Sequence, residues 1–212
     1  EQAFTDVSAM IKSGQIDAIL ICTPHFSHTT IGIEALGAGL HVLVEKPISV
    51  HKADCERLIA AHTDKTKIFA AMFNMRTNAC FKKVKDLIDS GELGTVRRIH
   101  WEVTNWFRTN YYYATGGWRG TWKGEGGGVL MNQCPHNLDL FQWMFGMPQK
   151  VRGFCRFGRF HEIEVEDDVT AVLQYDNGTT ATFVSSAATG GATTTGTLKL
   201  DTMDYVLDRK ST

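Results

Sequence analysis

The stretch His41-Val42-Leu43-Val44-Glu45-Lys46-Pro47 decides the fold, because an apolar run ends abruptly in an acid, a base and a proline. Three successive β-formers without polar alternation predict a strand covered on both faces in a parallel sheet. Sheets of that kind bind ligands just past their strand ends. Pro47 cannot donate to a ladder and biases Lys46 towards extended geometry, so the strand stops with Glu45 and Lys46 at its carboxyl end. Charged residues at a strand end are often merely solvated, so the neighbouring stretches must decide what these two do.

On the amino side, Asp17-Ala18-Ile19-Leu20-Ile21-Cys22 is a second continuous apolar run, and it ends in Thr23-Pro24-His25-Phe26-Ser27-His28. Ser27 is the expected N-cap of a helix from about His28 to Ala38, with Ile31, Ala35 and Leu36 on its inner face. Gly37 or Gly39 closes that helix and His41 follows, which makes a βαβ unit whose two strand ends face one crevice. Residues 3–13 read as an earlier helix ended by Gly14. On the carboxyl side, Ser49 is expected to cap a helix over 50–62 with Ala53, Leu58 and Ile59 as its apolar stripe. A third strand over 67–73 then runs to Asn74-Met75-Arg76. This alternation predicts a Rossmann-type α/β domain over 1–75, with a parallel sheet and helices on both faces.

Beyond residue 76 the pattern changes. Phe81, Val84, Leu87 and Ile88 mark an amphipathic helix. Residues 95–107 alternate, with Ile99, Trp101 and Val103 on one face and His100, Glu102 and Thr104 on the other, as a strand with one solvated face does. Further strands are expected over 151–160 and 168–175, and Asp176-Asn177-Gly178 supplies the hairpin turn into 179–186. Residues 76–212 therefore form an α+β domain on an open, mostly antiparallel sheet. No assignment is made for 187–196, where Thr, Gly and Ala offer little to bury.

Composition narrows the partners. The 212 residues are 43% hydrophobic and 21% charged with a formal net charge of -1, which argues against nucleic acid or an anionic membrane and for a small-molecule substrate. Five scattered cysteines without a Cys-x-x-Cys pair point to reduced thiols in a cytoplasmic setting. Residue 1 is Glu rather than Met, and a fragment of a longer protein is the simplest expectation.

Two stretches carry chemistry. Residues 108–128 hold Tyr111, Tyr112, Tyr113, Trp118, Arg119 and Trp122 among seven glycines. Ring faces beside arginine suit a sugar or other polyol, although an arm packing on another subunit has similar composition. Gly126-Gly127-Gly128 then leads to Asn132, Pro135, His136 and Asp139. On one helix, Asn132, His136 and Asp139 share a face and line a pocket together, unless Pro135 starts the helix or kinks it. Asp139 reads as an orienting or capping group rather than an acid.

With Glu45-Lys46-Pro47, Thr23-Pro24-His25 and the triple glycine in order, the chain resembles the Gfo/Idh/MocA family over roughly residues 3–186. The resemblance implies an NAD- or NADP-dependent oxidoreductase, with a Rossmann domain followed by an α+β domain, that transfers hydride to or from a secondary hydroxyl of a sugar, cyclitol or related polyol. Lys46 matches the lysine that contacts substrate and nicotinamide ribose, and His136 the general acid/base. Thr23, Pro24, His25 and Glu45 match cofactor-lining positions, to which His28 and Asn74 are added. Arg119 matches an arginine that reaches cofactor or substrate, and Trp118 joins it on the substrate side. Asn132 stands where many members have aspartate, so it cannot ionise but can bond a substrate hydroxyl. The glycine-rich phosphate-binding turn is absent from the chain, as are the family's final strands after about residue 196. The piece is accordingly expected to bind cofactor poorly by itself. The family pairs its open sheets, so a homo-oligomer is expected.

In this reading His136, whose type has an ordinary pKa of about 6.5, takes the hydroxyl proton, while a protonated Lys46 stabilises developing alkoxide charge. The competing readings are a redox-neutral NAD-dependent glycosidase of the same family, a non-catalytic cofactor-binding sensor, and a metal hydrolase built on His25, His28 and His136. No metal is expected, because no carboxylate pair accompanies those histidines.

Overall fold

A computed structural model of the chain describes residues 2–104, 106–188, 194–200 and 204–209. The chain divides into two compact units, one comprising 1–72 with 123–126 and the other 73–122 with 127–212.

The first unit holds a three-stranded parallel sheet in the order β1 (Ala18–Ile21), β2 (His41–Val44), β3 (Phe69–Ala71), with α1 (Val7–Lys12), α2 (His28–Gly37) and α3 (Lys52–Ala61) between strands. Asp6 caps α1 by accepting from the Ala9 N–H. Ile19, Ile21, Val42 and Val44 share one core with Ile11, Ala35, Leu36 and Leu58 from the three helices. The expectation of helices on both faces is met on one face only, since Leu20 is 53% exposed on the other. Within α3 Leu58 is fully buried, whereas Ile59 and Ala53, expected beside it, are exposed.

Two expected caps are replaced. Ser27 is itself helical, in a 3₁₀ turn His25–Ser27 ahead of α2, and its Oγ lies 2.8 Å from Thr23 Oγ1 and 2.7 Å from the Pro24 carbonyl. Ser49 precedes His51, the residue at the N-cap of α3, and accepts from Thr29 Oγ1 at 2.8 Å. The Ser27 hydroxyl thus serves its own turn and the Ser49 hydroxyl a tertiary contact, neither of them a helix end.

The second unit is a six-stranded mixed sheet with helices. Its strands are β4 (Val96–Val103), β5 (Lys150–Phe157), β6 (Glu166–Gln174), β7 (Thr180–Ser186), β8 (Thr194–Leu200) and β9 (Asp204–Arg209), in the spatial order β5-β6-β7-β4-β8-β9. All neighbours pair antiparallel except β4 with β7. The β6–β7 hairpin turns where expected, with Gly178 at φ +85°, a conformation glycine adopts without strain. Strands β8, which opens at the end of the stretch left unassigned, and β9 lie where the sequence announces no strand. Of the stretch left unassigned, 189–193 lies outside the described residues.

One face of this sheet carries Ile99, Trp101, Val103, Val169, Leu173 and Phe183, packed with Leu140, Phe141 and Met144 of α6 (Pro135–Phe145). The alternation read in 95–107 is thus the inward face of β4. Two further helices, α4 (Ala79–Asp89) and α5 (Asn110–Ala114), complete the unit, the latter inside the aromatic stretch. Every residue of edge strand β5 is exposed.

Candidate functional site

The expected site residues fall into two groups, one in each unit. In the first unit they gather because β1 and β2 end level. Ile21 is in register with Val44, and the Glu45 N–H donates to the Ile21 carbonyl at 2.9 Å. Thr23-Pro24-His25 and Glu45-Lys46-Pro47 therefore leave the sheet side by side. Their loops are stitched together by His28, whose ring is fully buried. Its Nδ1 lies 2.7 Å from the Pro47 carbonyl and its Nε2 2.8 Å from the Thr23 carbonyl. His28 is thus a brace between the two strand ends. With both nitrogens committed it has none to offer a metal.

His25 is 5% exposed, and its Nδ1 donates to the Glu125 carbonyl at 2.8 Å. That bond fixes the ring proton on Nδ1. Burial lowers its pKa below the usual histidine value; the Glu125 bond opposes the shift, and the nearby charges of Lys46 and His28 add to it. Thr23, Glu45 and Lys46 of the same two loops are partly exposed, and the Glu45 carboxylate accepts from the Lys46 N–H at 3.2 Å. Acceptors and donors in that combination can bond vicinal hydroxyl groups.

In the second unit the triple glycine and α6 build the other group. Gly128 is held against β6 so closely that a Cβ there would lie 1.9 Å from the Glu166 carbonyl oxygen, which explains why the position is glycine. The buried Glu166 side chain accepts from the Gly128 N–H at 2.9 Å and the Leu130 N–H at 3.1 Å, capping a π turn over Val129–Gln133. Pro135 then occupies the first turn of α6, so the helix begins there instead of being kinked.

Asn132 consequently lies in the π turn and not on α6, and its Nδ2 is 3.5 Å from the Tyr112 hydroxyl. His136 lies in the first turn of α6, with the Phe73 ring edge-on at 6.2 Å. Asp139, one turn on, does not join them in a pocket. Its carboxylate, 7% exposed, accepts from Arg76 Nε at 2.7 Å and Nη2 at 2.6 Å, and Arg76 also stacks on Trp143 at 5.6 Å. Arg119 lies over the Tyr112 and Trp118 rings at 4.7 and 5.0 Å. Asn74, expected with the cofactor residues, sits beyond β3 in a 3₁₀ turn of this unit and is exposed.

Sequence reasoning passed over three residues that organise this half. Arg76 was read only as the end of a strand. Glu166 and Asp167 open β6, ahead of the strand expected from 168, and both are buried. Asp167 accepts from the backbone N–H groups of Arg159, Phe160 and His161 at 2.8–3.1 Å and from His161 Nδ1 at 3.0 Å, while His161 Nε2 donates to the Arg108 carbonyl at 2.7 Å. The available signal was Glu-Asp-Asp within an otherwise apolar strand, Val165 to Val169.

A level-ended parallel sheet with polar strand ends is the layout of a nucleotide-binding α/β domain, and the second unit carries a histidine-bearing helix on an open mixed sheet. Residues 1–73 match the family model described as the oxidoreductase family with NAD-binding Rossmann fold, and residues 81–201 match the GFO/IDH/MocA C-terminal domain. The chain belongs to the GFO/IDH/MocA family. It is 32% identical to 1-carboxy-3-chloro-3,4-dihydroxycyclo hexa-1,5-diene dehydrogenase of Comamonas testosteroni over 83% of this chain and 43% of that protein. It is 33% identical to myo-inositol 2-dehydrogenase of Thermotoga maritima over 69% of this chain and 41% of that one. Among solved structures, the WlbA dehydrogenase of Bordetella pertussis in complex with NADH and UDP-GlcNAcA superposes with a TM-score of 0.91 at 27% identity, covering 98% of this chain and 60% of that one. The chain spans about half the length of the curated relatives it matches. Among the described residues, no helix is long and apolar enough to cross a membrane.

Proposed function

We propose that the protein is an NAD-dependent dehydrogenase that transfers hydride between the nicotinamide and a secondary hydroxyl of a sugar, cyclitol or related polyol. The observation that carries this reading is the strand-end group, Thr23, His25, Glu45 and Lys46, within a segment matching an NAD-binding Rossmann fold. The relatives named above act, by their names, on a dihydroxycyclohexadiene and on myo-inositol, both hydroxylated rings.

Glu45, Lys46 and Thr23 would hold the nicotinamide ribose, and the bound cofactor supplies the hydride acceptor. Lys46 would orient the substrate hydroxyl and, as a cation, stabilise negative charge on its oxygen as the proton leaves. His136 takes that proton. Its ring is held edge-on by Phe73 and its helix is fixed through Asp139 and Arg76, so the base is pre-oriented. Asn132 supplies an amide for a second hydroxyl, and Trp118 and Arg119 flank the substrate. Five free thiols are in keeping with a reducing, cytoplasmic compartment. The exposed face around β5, where Val151, Phe154 and Phe157 are each more than half exposed, is the surface for pairing with a second copy.

The test is fluorescence titration of the full-length protein with NADH and NADPH, followed by a polyol panel read at the nicotinamide absorbance. Turnover that disappears in Lys46→Ala and His136→Ala while the fold persists is the expected result. Cofactor binding with aglycone release and no net absorbance change would replace the reading by the redox-neutral glycosidase, binding without any turnover by the sensor, and no binding would end it.

A further inference from the structure

Between Glu102 and Glu125 the sequence has no acidic residue, yet it carries Arg108, Arg119 and Lys123. Two of these cations converge on a single ring. The guanidinium carbon of Arg108 lies 4.9 Å, and that of Arg119 4.7 Å, from the centre of Tyr112. Each also rests on a tryptophan at 5.0 Å, Arg108 on Trp106 and Arg119 on Trp118. Arg57, Arg76 and Arg159 pair with carboxylates, but among the described residues neither Arg108 nor Arg119 does so. Glu164, the carboxylate that reaches this loop, is occupied by the Trp122 N–H at 3.2 Å.

The two side chains are only partly exposed, and Nε of Arg108 is shut off from solvent with no acceptor among the described residues. Bringing two cations together costs free energy, and burying an N–H donor without a partner costs more. The rings hold the two guanidinium groups, and apart from a 3.5 Å contact of Arg108 Nη1 with the Phe107 carbonyl their terminal N–H groups have no acceptor among the described residues, which suits a planar or tetrahedral oxyanion. Tyr112 links the cluster to the candidate centre, because its hydroxyl lies 3.5 Å from Asn132 Nδ2, on the turn that leads into His136. The loop is fixed at both ends from one segment, by His161 at the Arg108 carbonyl and by the Glu164 N–H at the Gly120 carbonyl, 2.9 Å.

We propose that Arg108 and Arg119 form an oxyanion-recognition site and that the substrate is an acidic polyol bearing a carboxylate or phosphate group beside the ring that is oxidised. The assignment of the anion to a dehydrogenase substrate rests on the function proposed above, whereas anion binding itself does not.

The experiment titrates the full-length protein with matched ligands, following the fluorescence of the tryptophans under the two guanidiniums. The ligands are the gluco, galacto and manno hexoses, their uronates and their 6-phosphates, with myo-inositol and its monophosphate. At least one acidic member is expected to bind about tenfold or more tightly than its neutral parent, with added salt reducing the difference. Uronate preference identifies a carboxylate, and phosphate preference a phosphate. Arg108→Met and Arg119→Met keep the apolar stem and are expected to abolish the preference, the affinity for acidic members falling to that of their neutral parents or below. Equal affinity for acidic and neutral members, no binding of any acidic member, or a preference that survives both substitutions overturns the proposal. Loss of NADH affinity in the same variants would reassign the anion to the cofactor and overturn it as well. Acidic ligands that bind through both arginines but are never oxidised would sink the dehydrogenase reading and leave the anion site standing.

Discussion

Arg76 and Asp139, 63 residues apart in sequence, meet through a two-pronged ion pair with contacts of 2.6 and 2.7 Å. The pair ties the 3₁₀ turn Asn74–Thr77 to α6 one turn after His136. Side-chain bonding to Asp139 raises the Arg76 pKa, against an opposing effect of burial. Arg76→Ala leaves a nearly buried carboxylate without its counter-charge and should cost about 1–3 kcal/mol, the lower end applying because Arg76 is 40% exposed. Chemical denaturation of Arg76→Ala, Asp139→Asn and the double variant gives the coupling directly. Additive effects would show that the pair does not act as a unit.

Gly128→Ala should be among the most damaging small substitutions in the chain. Its methyl would have to enter the space of the Glu166 backbone, and relief requires moving β6 or the π turn, at a cost of about 3 kcal/mol or more. Glu166→Gln, which keeps one acceptor oxygen for the two N–H groups it now serves, should cost about 1–2 kcal/mol. Urea midpoints at constant slope measure both.

His25 makes stability depend on pH on the acid side. Its folded-state pKa is lowered, chiefly by burial, so the unfolded chain binds the proton more readily. The contribution is complete above the ordinary histidine pKa of about 6.5 and is lost as pH falls from there towards the lowered value, at up to about 1.4 kcal/mol per unit. Thermal melts between pH 7.5 and 5 should lose less stability in His25→Gln than in the parent. An identical pH slope would remove His25 as the cause.

Cys134 is fully buried, 2.7 Å from Ser185 Oγ, and burial pushes its thiol up to about 12. Cys22, Cys80 and Cys155 are exposed. A thiolate-directed alkylating agent at neutral pH should therefore modify those three in the native protein and reach Cys134 only through unfolding. Mass spectrometry of the labelled peptides over time checks the order.

Asp167→Asn should loosen the aromatic loop. The variant presents an amide to three N–H groups and a histidine that now face a carboxylate, and the His161 bond to Arg108 depends on that ring's position. A loss of about 2–4 kcal/mol is expected, together with faster proteolytic cleavage over 108–122.

Much of this architecture is legible in the chain because burial writes itself into period. Val42 and Val44, the alternation of Ile99, Trp101 and Val103, and the Asp-Asn-Gly turn all report local rules that the structure keeps. Ser27 and Ser49 misled because a hydroxyl before a helix has several equivalent partners, and only the tertiary fold decides among them. β8 escaped notice because a strand rich in Thr and Gly has no apolar period to read. Arg76, Asp167 and the pairing of Arg108 with Arg119 were invisible for a different reason. A charge in sequence looks the same whether water or a partner 60 residues away neutralises it.

The place of β4 in its sheet sets a timetable for synthesis. It lies between β7, to which it runs parallel, and β8, with Arg98 opposite Thr180 and also opposite Lys199. Neither neighbour exists until some eighty further residues have been made, and closing so long a loop delays the pairing further. The strands β1 to β3 need nothing beyond residue 72 to complete their own ladder. A ribosome-bound chain halted near residue 150 should therefore protect the amides of β1 and β2 while Ile99, Trp101 and Val103 still await their partners, leaving an apolar strand for chaperones to cover.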